Sequence, residues 1–171
     1  MLEKLIPLLG KSIESEEIKI LFAELGLKYP IKTTCTPNNS SVKGKFEKDG
    51  LLLYFTMGGN SRYLKPIPAK TKNSYIGIFS MIEFTKKCTI DLPFGVTYDT
   101  KPEELTAIFG APKITDIMCK STIWRKNYGE KHEFMVNDNV FMDGTLYRAI
   151  TLTFIYEADL NTEADYVKAG F

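Results

Sequence analysis

The chain offers little to chemistry: one histidine, three cysteines and a few adjacent acids in 171 residues. His132 stands in "GEKHEFMVN", where side chains alternate as in a hairpin strand. Histidine is the usual acid–base group near neutral pH. No nucleophile motif accompanies this one, and its setting reads as a surface or half-buried strand residue. An enzyme here would have to be built from carboxylates or tyrosines around His132. Cys35, Cys88 and Cys119 are odd in number and form no CxxC pair. They read as free thiols of a reducing cytoplasm, with no frame for zinc. HExxH, EF-hand and nucleotide-loop patterns are absent. Gly58-Gly59 follows an apolar run, but no helix pattern opens there, so it reads as a hairpin loop.

Two acidic pairs, Glu16/Glu17 and Glu103/Glu104, could suggest hydrolysis by paired carboxylates. Neighbouring helix positions do not face each other. Both pairs open helical patterns, where they offset the positive helix end. Trp124 and Arg125, with Lys120, Lys126 and Tyr128 near, could stack on nucleotides. The formal net charge is only +1, from 22 basic and 21 acidic residues. That balance supports neither a dedicated nucleic-acid binder nor an acidic mimic of nucleic acid. Trp124 therefore reads as a core or interface residue. The expectation is no catalytic residue, no metal and no cofactor.

The elements around these residues are easier to read. Ile18, Leu21, Phe22 and Leu25 fall at i, i+3, i+4 and i+7. Ser15 is the expected N-cap, Gly26 the stop, and Pro30 blocks resumption. "KTTCTPNNSSVKGK" reads as a loop or frayed edge strand. "VKGKFEK" and "LLLYFTM" flank Asp49-Gly50, a strong hairpin signal. "GGNSRYLKPIPAKTKN" reads as a second loop, and "YIGIFSMIEFT" as a central strand. The order then recurs. Thr100 is the expected N-cap of a second helix, with Pro102 in its first turn and Glu103 completing a capping box. Leu105, Ile108 and Phe109 form its stripe, and Gly110 ends it. "KITDIM", "STIWRKNY" and "KHEFMVN" read as strands, Asn137 to Gly144 as a turn-rich link, and "LYRAITLTFIYE" as the clearest strand. The tail "ADLNTEADYVKAGF" reads as a short closing helix or loose chain.

Aligning Gly26 with Gly110 puts Leu21 on Leu105 and Leu25 on Phe109. The expected fold class is α+β, in two pseudo-repeats, each a helix packed on an antiparallel sheet of three to four strands. Residues 1–90 would form the first unit and 91–171 the second, closely packed, with sheets side by side or continuous. No apolar run approaches membrane-span length. The first residues lack a signal peptide's apolar core. The expectation is a soluble cytoplasmic protein without membrane partners.

"LPFGVTYDTKPEELTAIFGAPK" resembles a unit of the immunity proteins of bacterial polymorphic-toxin systems, including contact-dependent growth inhibition. "LLGKSIESEEIKILFAELG" is similar to the unit that precedes it in such chains. The arrangement also resembles the helix-plus-sheet repeat of β-lactamase-inhibitor proteins and small outer-membrane assembly lipoproteins. This chain lacks the lipobox cysteine of the latter and shows no disulfide spacing of the former. The resemblance implies a non-enzymatic cytoplasmic binder that neutralises the C-terminal domain of a cognate toxin, often a nuclease. Candidate contacts are Asn60, Arg62 and Tyr63 in the middle loop, Trp124, and the tail acids Glu157, Asp159, Glu163 and Asp165. Such acids could meet a basic cleft and speed encounter. The alternative is a small-ligand or scaffold-type binding domain with a cleft between the two units.

Overall fold

The computed structural model describes residues 1–58, 61, 63–116, 121–142 and 144–155. A short helix α1, Leu2–Leu5, runs into a 3-10 turn at Ile6–Leu8. Helix α2 spans Glu16–Glu24 and α3 spans Pro102–Phe109. The Ser15 hydroxyl accepts from the Ile18 amide at 3.4 Å. At the far end the Leu27 amide donates to the Phe22 carbonyl, and Gly26 takes φ +64°, which glycine adopts without strain. All four residues of the first stripe are buried. The cap of α3 lies one residue later than the sequence suggests. Lys101 is the N-cap, and its amide donates to the Glu104 carboxylate at 2.8 Å. Thr100 instead accepts from the Thr97 amide, closing the turn that leads in.

Among the described residues, ten strands form two antiparallel sheets. They are β1 Thr34–Cys35, β2 Glu47–Lys48, β3 Leu51–Thr56, β4 Ile67–Pro68, β5 Tyr75–Ile76, β6 Ile78–Phe84, β7 Lys113–Asp116, β8 Ser121–Tyr128, β9 His132–Met142 and β10 Thr145–Phe154. The small sheet has the order β1-β5-β4, and the large one β2-β3-β6-β10-β9-β8-β7. The chain is therefore α+β, with one continuous seven-stranded sheet crossing the boundary between residues 90 and 91. The final strands of the two halves, β6 and β10, pair at its centre. The halves are not equivalent: the first diverts residues into the small sheet, while β7 to β10 run as an uninterrupted meander. Equal pseudo-repeats remain an expectation.

Asp49 and Gly50, at φ +51° and +79°, make the tight β2–β3 turn. A side chain at Gly50 would lie 2.3 Å from the Cys88 amide nitrogen, so the turn also serves as a seat for the chain leaving β6. Two sequence expectations change. "KPIPAK" contributes β4, with Pro68 on an edge strand where its missing donor costs nothing. Asn137–Met142 continues β9 instead of forming a link. Its turn-forming residues are absorbed by a β-bulge: Asn137 pairs with Ala149 and Val140 with Tyr147, and Asn139 takes φ +62°.

Both longer helices pack on one face of the large sheet. Phe22 of α2 meets Phe55 of β3, and Trp124 of β8 donates its indole N–H to Thr106 of α3. The rows beneath are Leu53, Ile82, Leu152, Phe134 and Lys126, then Leu51, Phe84, Ile150, Val136 and Trp124. Phe84 and Phe134 link the halves at 6.1 Å between ring centroids. Among the described residues, no helix is long and apolar enough to cross a membrane.

Candidate functional site

Strand alternation sends every second residue to the face opposite the helices. Two rows cross five strands there: Leu52, Glu83, Thr151, Met135 and Arg125, then Tyr54, Met81, Thr153, Glu133 and Asn127. Among the described residues no helix packs on this face. It is nevertheless not a wet, charged surface. Thr151, Thr153 and Glu133 are buried, and Leu52, Tyr54, Met81, Glu83, Met135 and Arg125 are half-buried. Strands 4.8 Å apart make it roughly 19 Å across.

Its polar groups are organised. The Tyr54 hydroxyl donates to Glu83 Oε2 at 2.6 Å. Burial, and then that bonded carboxylate, push the Tyr54 hydroxyl well above the usual phenol range. Burial and the Glu83 charge likewise raise Tyr98 and Tyr147. Thus three phenols stay protonated around one carboxylate. On β8 and β9, Arg125 lies 3.9 Å from Glu133. Ser121 donates to the Asn137 amide oxygen at 2.7 Å.

A second constellation lies on the helix side, where the chain enters α3. The Arg148 guanidinium holds both oxygens of Asp138, at 2.5 and 2.8 Å. Its Nη1 donates to the carbonyls of Tyr98 and Thr100. The Tyr98 hydroxyl donates in turn to the Arg148 carbonyl. The β9–β10 bulge places Asp138 where Arg148 needs it. Arg148 thereby ties the segment entering α3 to the sheet and sets Tyr98 beside the end of β6.

A cleft of about 530 Å³ follows the connection between the halves, lined among others by Thr85, Cys88, Asp91, Leu92, Thr97 and Tyr98. Among the described residues no group of three or more histidine, cysteine or acidic side chains is placed to hold a metal. Cys35 is buried and Cys88 half-buried, both free thiols. Burial raises the Cys35 thiol. Cys119 lies outside the described residues.

The expected contact residues fare unevenly. Trp124 is 4% exposed, and its bond to Thr106 puts it in the helix-side core, not on a contact surface. Tyr63 is half-buried, its hydroxyl donating to the Glu130 carbonyl and its ring 6.4 Å from that of Phe154. Asn60, Arg62, Glu157, Asp159, Glu163 and Asp165 lie outside the described residues. The sequence reading missed Glu83 and Tyr54. A signal existed: an acid inside the apolar run "YIGIFSMIEFT" is costly unless a neighbour bonds it.

His132 starts β9 on the helix side, its ring 4.6 Å from that of Phe154 and its Nε2 buried without a hydrogen-bond partner. Burial, with a smaller effect of Lys131, holds the imidazole below its usual value. The unfolded chain then takes up the proton first as pH falls. Stability attributable to His132 should be complete above about pH 6.5 and decline as pH drops through the lower folded value. Melting temperatures from pH 7.5 to 5 should show this slope, and His132→Phe should flatten it.

Comparison of this chain with family models, with curated proteins and with solved structures gives no match.

Proposed function

We propose that this chain is a non-enzymatic immunity protein that binds a cognate bacterial toxin domain, a nuclease in the first instance, and neutralises it in the cytoplasm. The observation that supports this reading is the helix-free face of the large sheet. Tyrosine, methionine and arginine are the types enriched at interface cores, and tight complexes concentrate their energy in a few such anchors. Here Tyr54, Tyr147, Met81, Met135 and Arg125 are half-buried on strands, with Tyr54 bonded to Glu83 and Arg125 beside Glu133. Rigid strands lose little freedom on binding, which favours affinity. The sequence resemblance to immunity units points the same way.

The test is co-expression in bacteria with the toxin domain encoded beside this chain's gene, followed by calorimetry on the purified pair. Restored growth and a complex in the nanomolar range are expected. Growth arrest with the chain well expressed, together with no measurable heat of binding, would refute the proposal.

A second reading follows from the cleft along residues 85–98. A small ligand seated there would make the chain a ligand-binding domain. Native mass spectrometry of protein from its own cells would then show a bound metabolite, displaced in a variant with Val96→Trp.

A further inference from the structure

We infer that Glu83, with Tyr54 bonded to it on the helix-free face and Tyr147 farther along β10 with Tyr98 at the rim, is the anchor point for an arginine side chain of the protein that covers this face. The inference rests on the docking reading above and specifies its chemistry. Glu83 occupies the centre of the sheet, between Leu52 on β3 and Thr151 on β10. One oxygen is taken by the Tyr54 hydroxyl at 2.6 Å. Among the described residues, no cation lies within ion-pair distance of it. Lys113 on β7 faces the same side farther out; the nearer cation, Arg125, is paired with Glu133 and stands on β8, separated from β6 by β10 and β9. That is roughly 14 Å at ordinary strand spacing.

A half-buried carboxylate in an apolar sheet face is costly to desolvate further unless a cation comes with the partner. An approaching surface without one would strip water from Glu83 and be rejected. A surface that supplies one gains a charge-assisted bond. The surroundings favour guanidinium over other cations. Tyrosine rings give planes for stacking and cation–π contact, and arginine is more weakly hydrated than lysine. A metal ion would need more ligands than one carboxylate and phenols that stay protonated. The fit is with a basic protein surface, such as the substrate cleft of a nuclease.

The experiment measures affinity for the toxin domain of the adjoining gene, its own activity disabled, with wild type, Glu83→Gln, Glu83→Arg and Met135→Arg. Glu83→Gln should weaken binding at least tenfold and Glu83→Arg at least a hundredfold. Circular dichroism of Glu83→Gln should match wild type, since the amide can still accept from Tyr54. If Glu83→Gln and Glu83→Arg bind as wild type while Met135→Arg abolishes the complex, the face docks but Glu83 is no anchor. If none of the three variants changes affinity, the docking reading itself falls. A probe free of the toxin separates the two further. N-acetyl-argininamide at millimolar concentration should shift the ring resonances of Tyr54, Tyr98 and Tyr147 in wild type, and not in Glu83→Gln. Equal shifts in both proteins, or none in wild type, would overturn the anchor.

Discussion

Arg148→Ala should destabilise the fold by about 3–5 kcal/mol, the cost of leaving a buried charge without its partner. The side chains of Arg148 and Asp138 are only 13% and 19% exposed, so solvent cannot replace the lost guanidinium well. The substitution strands three sets of acceptors together: the Asp138 carboxylate and the carbonyls of Tyr98 and Thr100. Asp138→Ala should cost less, because Arg148 keeps its two carbonyls. The double variant should recover part of the loss, since no buried carboxylate is left, but not all, since the carbonyls still lack donors. Urea denaturation of the four proteins measures this cycle. Single-variant losses within 0.5 kcal/mol of zero would mean that the Arg148 site does not hold the entry to α3. Arg148→Ala should also weaken partner binding beyond its effect on stability, because Tyr98 would lose its register beside Glu83. In that role Arg148 positions the site without touching the partner.

Phe134→Ala should cost about 3–5 kcal/mol, as expected for removing a fully buried aromatic ring. For a chain of this size that corresponds to a fall in melting temperature on the order of 10 °C. Phe134 is 0% exposed and its ring meets Phe84, Phe94 and Phe109, with centroids 6.1, 5.9 and 6.1 Å away. Those partners come from both halves of the chain. The loss should therefore appear as one shifted transition, not as the melting of residues 91–155 alone. Two separated transitions in calorimetry would show that β6 and β10 do not couple the halves. Phe134→Leu should recover most of the stability by keeping the apolar volume.

What could be read from the sequence follows the range of the interactions. The stripe of α2, its Ser15 cap and the Asp49-Gly50 turn are set by residues a few positions apart, and they stand as expected. "STIWRKNY" coincides with β8. The N-cap at Lys101 differs by one residue because Glu104, not Glu103, reaches back to a free amide. Asn137 to Gly144 misled because turn-forming residues also build bulges, and only the partner strand tells the two apart. Strand order was beyond reach. β10 inserts between β6 and β9, so Glu83 meets Thr151 across a long stretch of chain. Alternation in β8 divides Trp124 from Arg125, but it cannot say which set lies under α3. That choice decides that Trp124 is core and Arg125 lies on the helix-free face. The candidate site was legible as types of residue, not as a place.

The central claim is that the helix-free face of the large sheet is where a protein partner binds. Methyl NMR of the chain, free and saturated with the toxin domain of the adjoining gene, tests it most directly. Met81, Met135 and Ile123 report on that face, and Ile20, 57% exposed on α2, reports on the helix layer. Large shifts at Met81, Met135 and Ile123 with Ile20 unchanged are the expected result. Shifts at Ile20 with those three methyls unmoved would contradict it.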